Sequence, residues 1–576
     1  MVEARTFLLL FAIVSTLFGV LLAGDATFQC AVKDPIQVAP DDPKYETKPY
    51  IDGAKTFHGG VIDSYTGAYQ PVTSPIIDAS TGKRAVIGKI AQMKKDELGA
   101  VIEAAKAAWN NGQGVWPQMT PNQRIEAIQK VVISLKQRRD EIVNVLMWEI
   151  AKSYEDAQTE FDRTMIFIDS VIQALHDIEN QDGNWTSVSG ILAKIRRAAI
   201  GIVLVLGPFN YPFNETYATL IPALLMGNVI IMKIPTTGGL AHMLTMEAYA
   251  EHLPPGVINF ISGSGRELLS PLMSTGVIDA LAFIGGSSAA DKVIKSHPNP
   301  HRLKVFLQLE GKNLGIVLPD ADIKTAVEQI TIGSTTYNGQ RCTAIKLIFL
   351  HSSIVNDFLP PFIESINKLT YGLPWEGKIS ITPLPELNKI QSMEEYIYDA
   401  VNKGGQVINK VSGGGSGCDI HGELMRPAVV YPVTENMKLW HEEQFGPVIP
   451  IGVYHNLSEI VSYIHKTPFG QQAAVFTKDS DAASPLIDIL STSVGRININ
   501  TQCGRSPDTL PFSGRRSSAL GTMSVSEALK TFSIETVIAG KHTVTNEEIL
   551  KDLEQKTNFF SPLGKKETNN NDKVDL

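Results

Sequence analysis

The stretch RAAIGIVLVLG (197–207) decides the fold, because four more like it follow: GNVIIMKIP (227–235), GVINFISG (256–263), IDALAFIGG (278–286) and LKVFLQLEG (303–311). Each is a short β-branched, apolar run, as expected of a strand buried on both faces. Helical stretches such as NETYATLIPALLM (214–226) and GLAHMLTMEAYAEHL (239–253) separate them. This βαβα alternation predicts an α/β fold built on a parallel, doubly wound sheet with right-handed crossovers. Ligands on such sheets bind beyond the carboxyl ends of the strands, here 208–211, 233–237, 262–266 and 285–288. A second alternating region covers 311–510, and two helical stretches, 95–111 and 121–180, precede the first.

With 576 residues, two or three domains are expected. A formal charge of −9 argues against a nucleic-acid binder, which carries a basic surplus. The four cysteines, Cys30, Cys342, Cys418 and Cys503, are widely spaced and form neither a disulfide framework nor a metal cluster, so at least one is free to react. TFLLLFAIVSTLFGVLLAG (6–24) is uncharged and follows Arg5. It reads as a signal peptide or a single-pass membrane anchor, giving an endomembrane address, with a cytoplasmic chain as the alternative. Asn184-Trp-Thr and Asn214-Glu-Thr would then be glycosylation acceptors. VSGGGSGCD (411–419) reads as a surface loop, and past 541 the composition predicts one short helix in an otherwise disordered tail.

Three segments carry chemistry. In YNGQRCTAIK (337–346), Cys342 follows a glycine turn beside Arg341, whose charge would stabilise a thiolate; the competing reading is an inert buried cysteine. In GPFNYPFNE (207–215), Asn210 stands at a strand end leading into a helix, where its amide can donate to an oxyanion or simply make a turn. In VFLQLEGKN (305–313), a strand continued through Glu310 would place that carboxylate on the face of Gln308.

With GNVIIMKIP, FIGG, LEGKN, GQRC and EEQFGPV (442–448), these segments resemble the aldehyde dehydrogenase superfamily from about residue 50 to 540. EFDRT (160–164), GQRCTA and NINTQCGRSPDTLPF (498–512) look most like its NADP-dependent, non-phosphorylating glyceraldehyde-3-phosphate dehydrogenases. The resemblance implies a cofactor-binding domain over 45–310 with an oligomerisation arm at 183–199. It further implies a catalytic domain over 311–510, a return to the cofactor domain over 511–541, and a homo-oligomer, dimer or tetramer. It makes Cys342 the nucleophile that becomes a thioester and gives the oxyanion to Asn210 and the Cys342 backbone N–H. Lys233, Thr236, Gly263, Gly265, Gly285, Glu443 and Phe445 fall at cofactor positions. Arg163, Tyr211, Arg341 and Arg505 fall around a substrate phosphate, which arginine forks suit. No acid follows Lys233 before Glu247, so NADP is expected over NAD. No metal is expected.

One departure stands out. Where the family has Glu-Leu-Gly-Gly-Lys, this chain reads Gln308-Leu309-Glu310-Gly311-Lys312, so the usual base is an amide and an acid lies two residues on. An amide cannot take a proton from water, which points to Glu310 as a relocated base or else as a turn or ion-pair residue. FIGG also replaces Phe-Thr-Gly-Ser, and Leu269 stands where the cofactor loop often has a third glycine. The expected reaction is oxidation of a small phosphorylated aldehyde. The alternatives are a dehydrogenase for another small aldehyde or semialdehyde, and a non-catalytic cofactor-binding or scaffold protein that has lost its base. A reactive thiolate sits uneasily with a plain secretory fate; an organelle beyond the secretory route, or an anchor with the enzyme facing the cytosol, would reconcile the two.

Overall fold

A computed structural model describes residues 28–560 other than 40, 183 and 412–414. The apolar segment 6–24 and the chain beyond 560 lie outside the described residues, as does the centre of the 411–419 loop. Among the described residues, no helix is long and apolar enough to cross a membrane.

The five predicted strands form one sheet. Its spatial order is Lys304–Gln308, Ala280–Ile284, Ile202–Leu206, Val229–Lys233, Ile258–Ile261, all parallel, with antiparallel strands at both edges. Ile202–Leu206 is buried along its whole length because both faces are covered. Val203 and Val205 enter a core with the helices Pro121–Gln137, Arg139–Ile150, Tyr154–Asp182 and Pro212–Leu225. Leu204 points the other way, into a core with Leu98–Trp109 and Gly265–Ser274. Truncating so enclosed a leucine to alanine costs about 2–5 kcal/mol. The order reverses between Ile202–Leu206 and Ala280–Ile284, so a crevice opens beyond their carboxyl ends.

A second sheet of seven strands contains Asn313–Val317 in its interior, flanked by Ile345–His351 and Gln472–Phe476. The chain passes from the first sheet to the second through Leu309–Lys312 alone, which is not strand. The expected run LKVFLQLEG therefore ends at Gln308, and its last residues turn to reach the neighbouring sheet. The 121–180 stretch likewise forms three helices, with Ala151 in the left-handed region at φ 50° where the second stops.

The cysteine expectation needs correction. Cys30 and Cys418 form a disulfide across 388 residues of sequence. Spacing could not show this, because the bond is set by tertiary pairing: Ala31–Lys33 lies parallel to Asp419–His421 and brings the two cysteines together. Cys342 and Cys503 are free. Asn214 is no glycosylation acceptor in this fold, being buried with its amide on Thr164 Oγ1 at 3.1 Å.

Closing so long a loop stabilises a chain by up to about 5 kcal/mol through the unfolded state. Alkylation in denaturant without reductant is expected to label two thiols, and four after reduction. Cys30→Ser should lower the Tm by several degrees without loss of the parallel sheets. Four labelled thiols in the native oxidised protein would contradict the pairing.

Candidate active site

Cys342 lies in the turn before strand Ile345–His351, and three consecutive left-handed residues set that turn: Tyr337 (φ 49°), Asn338 (φ 55°) and Gly339 (φ 71°). Tyr337 and Asn338 are non-glycine residues in a costly conformation, and each is tied down. Tyr337 Oη donates to Ile150 O at 2.8 Å. The Asn338 side chain donates to Thr382 O at 3.0 Å and accepts from Thr382 N at 3.1 Å. At Gly339, a Cβ would sit 2.8 Å from Gly446 O, so only glycine lets the cysteine turn approach the 442–448 segment.

The inter-sheet crossover fixes both segments. Asn313, fully buried, donates through Nδ2 to Cys342 O (2.6 Å) and Ala344 O (2.9 Å), and its Oδ1 accepts from Gln472 N (3.0 Å). Lys312 Nζ donates to Glu442 O (2.6 Å) and Gln444 Oε1 (2.5 Å). Each residue gains hydrogen bonds that its burial requires.

On the other wall, Asn210 and Tyr211 lie at the end of Ile202–Leu206 and enter helix Pro212–Leu225. The start of that helix is held by Glu160, whose Oε1 accepts from Phe213 N (2.9 Å) and Asn214 N (3.1 Å) while the buried Lys152 pairs with its other oxygen. Lys152 Nζ also lies 3.3 Å from the Tyr211 ring centroid. Asn210 Nδ2 donates to Gln340 O at 2.8 Å, which leaves its second N–H for a ligand.

These residues enclose a cavity of about 700 Å3, lined by Cys342, Asn210, Gln308 and Glu310. Gly285, Glu443 and Phe445 of the cofactor set and Arg163, Tyr211, Arg341 and Arg505 of the phosphate set line the same cavity. Thr236 and Gly263 lie apart, on a small crevice beside Ile234. Lys233 ends strand Val229–Lys233, and Gly265 opens helix Gly265–Ser274.

The electrostatics correct one expectation. Burial pushes the Cys342 thiol up to about 12, with Glu215 and Glu443 raising it further and Lys346 and Arg505 opposing. The cations that lower this thiol are Lys346 and Arg505, whereas Arg341 lowers the Cys503 thiol and donates to Gly333 O and Gln502 Oε1, both at 3.2 Å. The cation beside Cys342 is Lys346, four residues on, whose ammonium lies 3.5 Å from Glu443 and 4.3 Å from the Phe445 ring centroid.

Gln308 is buried, its Nε2 3.5 Å from Phe512 O and its Oε1 without a partner. Glu310 does not continue the strand face of Gln308. Its carboxylate caps helix Ser287–Lys295, accepting from Ser287 N at 2.8 and 2.9 Å and from Ser287 Oγ at 3.2 Å, where the helix dipole favours an anion. Gly286 makes room for it, since a Cβ there would lie 3.3 Å from Glu310 Oε1.

The residues fit a dinucleotide. The buried Lys233 ammonium has no side-chain partner among the described residues, and burial lowers it to about 8. No carboxylate stands over it to repel a phosphate. Leu269 is turned into the core.

The cavity thus gathers a free thiol, an amide donor and arginines, and a buried lysine with no side-chain partner among the described residues ends the strand next to Ile202–Leu206. The aldehyde dehydrogenase family model matches residues 69–538. The chain belongs to the aldehyde dehydrogenase family. It is 32% identical over 463 residues to the NADP-dependent glyceraldehyde-3-phosphate dehydrogenase of Streptococcus equinus, covering 80% of this chain and 93% of that protein. It is 30% identical to the Arabidopsis thaliana enzyme of the same name, covering 77% and 87%. The structure of the Bacillus halodurans NADP-dependent glyceraldehyde-3-phosphate dehydrogenase with NADP superposes with a TM-score of 0.76 at 29% identity, covering 86% of this chain and 100% of that one.

Motif reading missed Asn313, Lys346, Glu160 and Glu215. All four lie within the quoted motifs VFLQLEGKN, YNGQRCTAIK, EFDRT and GPFNYPFNE, but their partners come from elsewhere in the chain, so the motifs gave them no role.

A thiol raised this far by burial is neutral at physiological pH in the ligand-free protein. Iodoacetamide labelling of Cys342 is expected to rise about tenfold per pH unit from 7 to 9, with no plateau. A plateau in that range would contradict the buried-thiol electrostatics.

Proposed function

We propose that this aldehyde dehydrogenase oxidises a small phosphorylated aldehyde, glyceraldehyde-3-phosphate to 3-phosphoglycerate, with NADP and without inorganic phosphate. The observation that carries the proposal is one cavity lined by both a free thiol and arginines. Cys342 and Asn210 line it together with Arg505, whose Nη2 is buried with no hydrogen-bond partner among the described residues while its Nη1 lies 2.7 Å from Glu215. Buried guanidinium donors without acceptors are costly, and a phosphate oxygen would satisfy them. The names of the Streptococcus and Arabidopsis relatives fit this reading.

Cys342 attacks the aldehyde carbon, and the second N–H of Asn210 with the Cys342 backbone N–H receives the developing oxyanion. Lys233, Thr236, Gly263, Gly265, Gly285, Glu443 and Phe445 would hold NADP, which when bound supplies the hydride acceptor. Lys346 fixes Glu443, and Lys312 fixes the backbone before it. The thioester left on Cys342 needs an activated water. Gln308 has no proton-accepting group for that step, and Glu310 lines the same cavity. Glu310 therefore serves as the base after leaving Ser287, a departure that costs it its helix-end hydrogen bonds.

Assembly and location follow the same reading. Strand Ser533–Lys541 pairs on one edge with Ile191–Ala199, and the sheet exposes Val188, Ile195, Ile534 and Val537, which suits a second copy of the chain in a dimer or tetramer. The Cys30–Cys418 bond and the apolar segment 6–24 together support an oxidising, endomembrane address.

Protein starting near residue 28 should form NADPH from glyceraldehyde-3-phosphate and NADP without inorganic phosphate. Absence of turnover while Cys342 remains alkylatable would defeat the reading. Glu310→Gln should retain a stoichiometric NADPH burst while steady-state turnover falls 10-fold or more. An unchanged steady state would remove Glu310 from the mechanism.

A further inference from the structure

Among the arginines lining the cavity, two are already engaged by carboxylates of the chain itself. Arg163 makes a two-pronged pair with Asp508, Nε at 2.9 Å and Nη2 at 2.7 Å. Arg505 Nε lies 3.0 Å from Asp508, and its Nη1 lies 2.7 Å from Glu215. Two guanidiniums and two carboxylates thus close a network with no net charge, while Arg341 and Arg496 line the same cavity outside it. Three arginines in motif positions suggest a strongly positive pocket; in the folded site two of the three are neutralised by the chain itself.

The two carboxylates differ in placement. Asp508 sits behind the arginines, gripping Arg163 from its own loop. Glu215 comes from the first turn of helix Pro212–Leu225 and lines the substrate cavity with Cys342, its side chain only 13% exposed. It lies close to the Arg505 terminal nitrogens that a ligand anion would use, yet makes no aligned hydrogen bond to them. Glu215 therefore holds charge at this spot without satisfying the donors. A phosphate reaching Arg505 meets this carboxylate in a water-poor site, where like-charge repulsion is weakly screened.

We propose that Glu215 is a specificity-determining residue that competes with the anionic arm of the substrate for Arg505, so that the site discriminates against dianionic aldehydes relative to neutral ones. A neutral, hydroxylated aldehyde leaves the Glu215–Arg505 pair intact. A phosphorylated one must share Arg505 with Glu215 or displace it. The inference rests on the dehydrogenase reading above for its substrates, but not for its binding site.

Glu215 also acts on the Cys342 thiol, so removing its charge alters the chemical step for every aldehyde alike. The informative quantity is therefore the ratio of KM values for glyceraldehyde-3-phosphate and unphosphorylated glyceraldehyde. Glu215→Gln is expected to lower KM for the phosphorylated aldehyde 10-fold or more and to leave KM for glyceraldehyde within 2-fold. Glu215→Met, similar in volume and uncharged, should do the same and serves if the glutamine variant folds poorly. Calorimetric titration of inorganic phosphate into the full protein should show the same 10-fold tightening. An unchanged KM ratio with unchanged phosphate Kd would overturn the proposal. If the wild type oxidises no aldehyde with NADP, the dehydrogenase reading fails, and phosphate titration of the two variants still decides the role of Glu215.

Discussion

The hydrogen bonds from Asn313 to Cys342 O and Ala344 O are the constraint on which the rest of the site depends. Asn313 is the first residue of the second sheet after a four-residue passage from the first, so it sits where two rigid sheets meet. Its amide fixes the backbone that carries the thiol. Lys312, one residue earlier, fixes the segment that carries Glu443 and Phe445. A single crossover thus registers the Cys342 turn and the 442–445 segment against each other, and against the strand ends that present Asn210 and Gly285. A buried amide that lost these acceptors would leave polar groups unpaired at about 1–3 kcal/mol each. Such strain is small for a fold of this size but large for a site that needs sub-ångström placement.

The same passage accounts for the unusual acid. A strand continuing through 309–311 would have aimed Glu310 alongside Gln308, but the turn toward the second sheet sends it to the amide end of helix Ser287–Lys295. The glycine at 286 accommodates this arrangement. The site holds its carboxylates in internal bonds: Glu310 on a helix end, Glu443 on Lys346, Glu215 against Arg505. All three line the same cavity as the neutral thiol of Cys342.

Much of this was legible in the sequence. Five apolar runs separated by helical stretches are a local pattern, and local patterns survive folding, so the parallel sheet and its ligand-facing ends followed. The cysteine turn and the Asn210 strand end were legible because each motif lies within one short segment. What could not be read was pairing across distance. The Cys30–Cys418 bond, the Glu160 cap on a helix more than fifty residues away, and the Glu215–Arg505 contact join elements with no common periodicity. The direction of Glu310 failed for a different reason: strand alternation was applied past the residue where the strand ends. Arg341 shows a third limit, because adjacency to Cys342 in sequence does not show that its guanidinium donates to Gly333 O and Gln502 Oε1 and acts on Cys503.

The central claim is that Cys342, held by Asn313, carries the acyl group between oxidation and hydrolysis. It is tested most directly by rapid acid quench of the protein mixed with glyceraldehyde-3-phosphate and NADP, followed by peptide mass spectrometry. A phosphoglyceroyl thioester is expected on the peptide containing Cys342, at near-stoichiometric occupancy in Glu310→Gln and strongly reduced in Asn313→Ala. NADPH formation with Cys342 unmodified at every quench time in Glu310→Gln would contradict it.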